Sequence, residues 1–428
     1  MKVWRNASTG TPGVYRYEET PGAAITGLSS GIPLFIGYSA KGFPADLGAA
    51  GKMYSPCGIN SWSQFVYAFG DTLGKYLLAY AVRGFFSNGG TTCYVVGIDP
   101  ADAPDFPSEL IRVLADIHDL PVLENVDLVC VPDIVISGDR ETVCGLQQTI
   151  LDFCRGRGVF QGSDLFCFAV LDAVKTADDA EVTSQRMSMS SPDGALYYPW
   201  IRLADGPAAS GGFVPPCGHI AGIYARSDSK TGVQKAPANE IIEEALDIGA
   251  DITDAVQDRL NPDNINCLRS FPGRGIRVWG ARTLSTDADW RYINVRRLFL
   301  AVCRWAEKIL ADMVFEPNDI RLWMRVTREL NTCLTDLCRQ GAFAGETIEQ
   351  AFYVKCDAET NSADIRDHGE LVVEIGLAAA IPGEYIVVRI IQTEGGTSIT
   401  SSADSGTDST PKAQPYRDKI APDVAITE

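Results

Sequence analysis

The chain has 428 residues, of which 46% are hydrophobic and 21% charged; these values are typical of a folded protein with more than one domain and exclude wholesale disorder. Its formal net charge of -18 argues against a general affinity for nucleic acid or for an anionic membrane, because basic patches bind those partners. No apolar run approaches the roughly 18 residues that span a bilayer, and the first residues lack the apolar core of a secretory signal. We therefore expect synthesis in the cytoplasm and no membrane insertion.

The cysteines and histidines form no pattern for a metal or catalytic site. The 12 cysteines are scattered from Cys57 to Cys356 without a Cys-x-x-Cys pair, which predicts reduced and mostly buried thiols. The three histidines, His118, His219 and His368, lie far apart and fit neither a metal-ligand spacing nor a catalytic triad. We expect no cofactor, no metal and no enzymatic activity.

Residues 1–24 form the first segment, which is rich in Gly, Pro, Ser and Thr. One alternating stretch within it predicts a strand that has no nearby partner in the sequence. This stretch is either a frayed terminus or an extended arm that pairs with a sheet edge elsewhere, including one on a neighbouring molecule. The strand comprises Val14, Tyr15, Arg16, Tyr17 and Glu18.

The next two segments, residues 25–98 and 99–284, combine buried strands with helices. A helix begins after the N-cap residue Ser61, and 92–98 is typical of a buried strand. Further along, a strand at 126–132, a helix at 141–154 and a strand at 165–171 predict a βαβ crossover and a parallel sheet. Residues 175–194 are polar and predict a surface loop.

The segment 285–392 begins with two long amphipathic helices, at 290–313 and 319–340. Each has an apolar stripe and a basic face. On a chain with this negative charge, the basic faces are candidates for contact with an acidic partner, although they are equally consistent with solvated faces paired to internal carboxylates. The basic residues are Arg297, Arg304 and Lys308 on the first helix and Arg321, Arg325 and Arg328 on the second.

The most β-prone strand of the chain follows near the end of this segment. After Thr393 the composition changes to Ser, Thr, Gly and Asp without a core-forming period, so residues 393–428 are expected to be an exposed appendage. The β-prone strand includes Tyr385, Ile386, Val387, Val388, Arg389 and Ile390.

Several motifs, taken in order, resemble the phage tail sheath family, which includes the sheaths of extracellular contractile injection systems. The resemblance extends to about Gln392. The motifs that carry it are Thr11-Pro12-Gly13-Val14-Tyr15, Tyr80-Ala81-Val82-Arg83-Gly84-Phe85-Phe86, Tyr198-Pro199-Trp200, Pro215-Pro216-Cys217-Gly218-His219, Phe271-Pro272-Gly273-Arg274-Gly275-Ile276-Arg277-Val278-Trp279-Gly280-Ala281-Arg282-Thr283-Leu284 and Phe315-Glu316-Pro317-Asn318-Asp319.

The resemblance implies an α/β (mixed α+β) fold in which both ends of the chain build an inner domain with a mixed sheet and the two long helices. Residues 99–284 then form a central βαβ, subtilisin-like outer domain, and the terminal arms extend away from the body. It also implies that residues 14–18 and 385–390 add strands to the sheets of neighbouring subunits. It further implies that subunits polymerise as stacked six-fold rings around an inner tube, with baseplate and terminal cap proteins as further partners, and that the sheath contracts to drive the tube through a target envelope. The basic residues of the two long helices named above are then the candidates for contact with an acidic inner tube.

Two other functions compete with this one. The βαβ centre is compatible with a cytoplasmic α/β enzyme, but the segment 271–275 lacks the third glycine of a dinucleotide fingerprint and is followed by a strand-like sequence instead of a helix. A passive structural shell that never contracts is the other alternative, because contraction is a property of the assembly.

Overall fold

The structure is a computed structural model that describes residues 28, 30–41, 54–71, 74, 76–136, 138–156 and 165–384, together with the backbone of residues 386–393 and 396–403. These ranges form a mixed α/β protein, as predicted. The strands are β1 (Pro33–Tyr38), β2 (Cys57–Ile59), β3 (Cys93–Ile98), β4 (Leu128–Cys130), β5 (Phe168–Asp172), β6 (Gly194–Tyr198), β7 (Ile201–Arg202), β8 (Phe213–Val214), β9 (Asp247–Ile248), β10 (Ile265–Phe271), β11 (Gly275–Trp279), β12 (Phe352–Lys355), β13 (Glu374–Leu377), β14 (Ile386–Thr393) and β15 (Gly396–Ala403). The helices are α1 (Trp62–Phe69), α2 (Leu78–Ser87), α3 (Phe106–Ile117), α4 (Arg140–Cys154), α5 (Asp179–Met187), α6 (Cys217–Thr231), α7 (Asp254–Leu260), α8 (Ile293–Ala311), α9 (Ile320–Arg339), α10 (Ile348–Ala351) and α11 (Ala363–Asp367).

A central sheet has the strand order β11-β10-β6-β5-β4-β1-β3-β2. The strands from β10 to β3 in this order run parallel, and β11 and β2 add antiparallel strands at the two ends. The predicted crossover from β4 through α4 to β5 is confirmed by their parallel pairing. Because parallel strands are buried on both faces, β1 has an unbroken run of buried residues instead of an alternating pattern.

The central sheet has an apolar core on each face. Leu34 and Ile36 belong to one core, and the intervening Phe35 belongs to the other, as the alternation of side chains along a strand requires. Helices α3 and α4 cover the first face, and α2 and α6 cover the second. The result is a three-layer arrangement of helices, sheet and helices.

The sheet extends across the predicted boundary at residue 98. Strand β1 pairs with β3 on one side and with β4 on the other, so the ranges 25–98 and 99–284 contribute to the same sheet and the same cores. The division into inner and outer domains stays a prediction.

The C-terminal part packs α8 and α9 together with the antiparallel pair of β12 and β13. Helix α9 begins where the sequence predicts, because the N-cap residue Asp319 accepts hydrogen bonds from the backbone amides of Arg321 and Leu322 at 2.8 and 3.2 Å. Leu330 and Leu334 on the apolar stripe of α9 are fully buried. Its opposite face stays at the surface.

One local expectation was wrong. The predicted loop at 175–194 contains helix α5, whose N-cap Asp178 accepts a hydrogen bond from the amide of Ala180 at 3.0 Å. The helix buries the polar side chains of Gln185 and Arg186, so its inward face has no apolar stripe to reveal it. After Thr393, strand β15 pairs with β14 in an antiparallel hairpin. The expectation that residues 393–428 are an exposed appendage stays a prediction.

Helices α2 and α6 approach each other through glycines. A Cβ atom added at Gly218 would lie 2.1 Å from the carbonyl oxygen of Ala81, and one at Gly222 would lie 2.5 Å from that of Phe85. On the facing helix, a Cβ at Gly84 would lie 2.3 Å from the ring of His219. The absence of side chains at these glycines therefore sets the distance between the two backbones.

Candidate functional site

The Arg297 guanidinium on α8 lies between two buried carboxylates. Nη1 and Nη2 donate to the oxygens of Asp228 at 3.0 and 2.6 Å, and Nη2 also donates to Asp127 at 3.0 Å. All three side chains are almost fully buried. Asp228 is on α6 and Asp127 immediately precedes β4, so this arrangement, which we call the Arg297 clamp, ties α8 to the central sheet and to one of its covering helices.

Electrostatics keep the clamp charged despite its burial. Burial acts to lower the pKa of Arg297, but the carboxylates of Asp228 and Asp127 outweigh this effect and raise the pKa above its usual range. Burial raises the pKa of Asp228, and Arg297 opposes that rise. The ring of Tyr224 adds a cation–π contact, with Arg297 Cζ 4.6 Å from the ring centre.

Two other arginines join residues 285–384 to the central sheet region. Arg296, next to the clamp, donates to the buried carboxylate of Asp193 at 2.7 Å. Arg282 makes a bidentate contact with Glu384, with hydrogen bonds of 2.9 and 2.5 Å. These pairs and the clamp could not be predicted from the sequence, because the paired residues are about 70 to 170 positions apart and no local pattern links them.

The assignment of Arg297 and Arg304 to a free basic face was wrong. Both residues are buried, and the Arg304 guanidinium donates to the carbonyl oxygen of Phe166. The physical reason is that the first half of α8 packs on two sides, against the core of the central sheet and against α9. A single apolar stripe in the sequence predicts only one buried face of the helix, so the second packing surface of α8 was not expected.

The other four basic residues lie at or near the surface. Lys308 donates to the side chain of Asn125 at 3.1 Å. Arg325 is half-buried, and hydrogen bonds to Glu329 and Glu316 raise its pKa. Arg321 and Arg328 are exposed and make no ion pair with another residue in the described ranges.

The predicted exchange strands are only partly within the described residues. Val14, Tyr15, Arg16, Tyr17, Glu18 and Tyr385 lie outside them. Ile386, Val387, Val388, Arg389 and Ile390 belong to β14, which pairs along its length with β15. Within the described chain these two strands form a separate sheet, so the outer edge of each has no strand partner there.

His219 packs as a neutral side chain. It is fully buried against Gly84, and burial followed by the nearby charge of Arg83 lowers its pKa to about 3. Neither ring nitrogen has a hydrogen-bond partner among the described residues. Among the described residues, therefore, no carboxylate and no nucleophile hydrogen-bonds to this ring as the histidine of a catalytic triad requires.

A cavity of about 450 Å³ opens at the carboxyl ends of β1, β4 and β5, next to the point where the strand order reverses. Such a crevice is where ligands bind in open α/β folds. Its buried carboxyl group, Asp133, accepts backbone hydrogen bonds from Tyr38 and Leu77 at 3.0 and 2.8 Å. Burial raises the Asp133 pKa to about 7, and those bonds oppose the rise. Asp133 therefore supports β1 and the start of α2.

The described residues show neither a membrane-spanning helix nor a group of three or more His, Cys, Asp and Glu side chains placed to hold a metal ion. Both findings apply to those residues alone.

The described residues define a mixed α/β protein with a C-terminal hairpin whose outer edges pair with no other strand among them. The profile described as phage tail sheath protein central domain matches residues 124–284, and the profile described as phage tail sheath C-terminal domain matches residues 285–393. The chain belongs to the phage tail sheath family.

Similarity to solved structures and to a curated relative supports this family membership. A chain of the anti-feeding prophage baseplate is 31% identical, with a TM-score of 0.67, over 90% of this chain and 99% of that one. The sheath of the extracellular contractile injection system PVC in its contracted state is 29% identical, with a TM-score of 0.67, over 91% and 99%. A putative prophage major tail sheath protein of Pseudomonas aeruginosa (strain UCBPP-PA14) is 25% identical over 243 residues, which are 54% of this chain and 59% of that relative. The match thus spans less than two thirds of the curated relative's length.

Proposed function

We propose that this chain is the sheath subunit of a contractile tail or contractile injection machine. The observation that carries the proposal is its similarity, over 91% of its length, to a sheath solved in a contracted state. It is made in the cytoplasm, becomes part of a phage tail or tail-like particle and polymerises as stacked six-fold rings around an inner tube. Its further partners are baseplate and terminal cap proteins, with no direct role for nucleic acid or membrane.

Contraction on this proposal is a change of packing between subunits and needs no chemical step by the chain. Assembly around the tube holds the sheath in an extended lattice, and release lets rigid subunits rotate and bury more surface against each other. The ion pairs that join Arg282, Arg296 and Arg297 to their carboxylates support this view, because they hold the described body together as one unit.

To test the function, assemblies of the chain are imaged by electron microscopy before and after mild denaturant. We expect tubes of two distinct lengths, the shorter being wider, because a contractile lattice has two packings. Tubes of a single length under all conditions would identify a passive shell.

Connectivity during contraction comes from exchanged strands. Residues 14–18 and 385–390 add to sheets of neighbouring subunits, where main-chain hydrogen bonds provide the affinity. The outer edges of β14 and β15 support this part of the proposal, since they offer backbone donors and acceptors that no other described strand uses.

Removal of residues 1–20 is expected to leave a folded monomer that cannot polymerise, because it deletes the strand at 14–18 and leaves the described body intact. Circular dichroism checks the fold, and sedimentation with electron microscopy measures assembly. A matched control deletes residues 411–428, beyond β15, and should still assemble. Normal tubes after the N-terminal deletion would contradict the arm model.

The inner-tube contact uses basic residues that remain at or near the surface: Lys308 on α8, and Arg325 and Arg328 on α9. The sheath has to bind the tube during assembly and release it on contraction. Surface ion pairs, which contribute about 0 to 1 kcal/mol each, are weak enough to allow both. Their position at or near the surface supports this assignment. Arg297 and Arg304 are buried and are no longer part of it.

A further inference from the structure

The connection between α8 and α9 exposes a group of large apolar side chains. Val314 is 59% exposed, Phe315 101%, Ile320 65% and Met324 67%. Ile320 and Met324 are one helical turn apart on α9 and share its outer face. We call these four residues the turn patch. Soluble proteins rarely leave such side chains clustered in water unless a partner covers them.

Phe315 also has an unfavourable backbone conformation. Its φ of 71° lies in the left-handed region, which a bulky residue with a Cβ atom rarely adopts. The conformation directs the phenyl ring fully into solvent, so the described chain gains no packing in return for the strain. The backbone of this turn is hydrogen-bonded, with the amide of Glu316 donating to the carbonyl oxygen of Met313 at 3.2 Å, but the ring itself packs on nothing in the described chain. A strained position that presents a large apolar ring to solvent indicates a contact with a partner.

The charges around the turn patch indicate the chemistry of the partner. Arg325 is already held by Glu316 and Glu329. Arg321 follows Ile320 in the first turn of α9. Its side chain is exposed and has no ion pair with another described residue. A matching surface therefore has an apolar centre and a carboxylate at its rim.

We infer that the turn patch is a contact between copies of this chain and packs against an acidic-rimmed apolar surface of the next copy. The inference rests on the proposed function. The chain's net charge of -18 supplies carboxylates in excess, which makes a second copy complementary to Arg321. The inner tube fits less well, because it has to be released on contraction, whereas four desolvated apolar side chains suit partners that stay associated.

The test uses Phe315→Gly and Phe315→Asn, which remove the ring and tolerate a positive φ. Assembly of the purified chain without inner tube is measured by sedimentation and electron microscopy, and the fold by thermal melting. We expect at least a tenfold fall in the polymerised fraction, with a melting temperature for the Gly variant equal to or above that of the wild type. Two substitutions of equal size provide the control: Met324→Ala on the turn patch should impair assembly, and Met187→Ala on α5, 65% exposed, should not.

Each result has a defined meaning. Normal self-assembly of the Phe315 and Met324 variants overturns the inference, including the case in which only loading onto inner tubes is lost, since the tube is then the partner. Equal loss of assembly in Met187→Ala also overturns it, because the effect is then not specific to the turn patch. A wild-type chain that never polymerises overturns the proposed function and this inference together, whereas normal assembly of both wild type and variants removes the inference alone.

Discussion

Substitution of Arg297 by methionine is expected to lower the free energy of unfolding by about 3 to 5 kcal/mol, because it leaves buried carboxylates without their cation. Methionine fills a similar volume, so the lost charge, and not a cavity, dominates the effect. Asp127 keeps its backbone donors, Gly31 and Ile32, at 2.9 and 2.6 Å. Asp228 loses both of its bonds to Arg297.

Urea unfolding of the unassembled chain, followed by circular dichroism, measures this change. Arg321→Met on α9 is the matched control, because Arg321 is exposed and its replacement is expected to change stability by no more than about 0.5 kcal/mol. Equal effects of the two substitutions would show that the clamp does not hold α8 to the central sheet.

Substitution of Gly218 by alanine is expected to destabilise the chain by about 3 kcal/mol through overpacking of α2 against α6. The new Cβ would lie 2.1 Å from the carbonyl oxygen of Ala81 and 2.4 Å from its Cα. Both are backbone atoms, so no side-chain rotation relieves the clash, and the helices have to separate. That separation also loosens the packing of His219 on Gly84.

Gly145→Ala is the control for this prediction. Gly145 lies inside α4, where an added Cβ meets no atom within 4 Å, and alanine favours a helix interior over glycine. This variant should be more stable by about 0.5 to 1 kcal/mol. Chemical denaturation of both variants compares the effects. If Gly218→Ala also stabilised the chain, the close approach of α2 and α6 would be refuted.

The sequence predicted those elements whose signals are local. Strand β3 and the capping residue of α1 are examples, since continuous apolar character and the N-cap Ser61 reflect the neighbouring residues alone. Helix α5 escaped prediction because Gln185 and Arg186 form part of its buried face, and polar residues carry no periodic signal when tertiary partners satisfy them.

The candidate site was predictable only as far as family resemblance extends. The helices with basic faces exist close to their expected bounds. The helix sequences do not show which arginines lack an internal partner. Arg297, for example, donates hydrogen bonds to Asp228 and to Asp127, which is 170 positions earlier in the chain. Helical periodicity shows that one face of a helix is polar. It does not show whether an arginine on that face is solvated by water or paired with a buried carboxylate.

The three arginine contacts have a mechanical consequence. The ion pairs of Arg282, Arg296 and Arg297 link residues 285–384 to the central sheet region at three points. We therefore expect the described body to transmit an applied force with little internal deformation. If such subunits form the proposed contractile tube, elastic deformation is concentrated at the contacts between subunits, and the change in tube length is set by how far one subunit moves past the next.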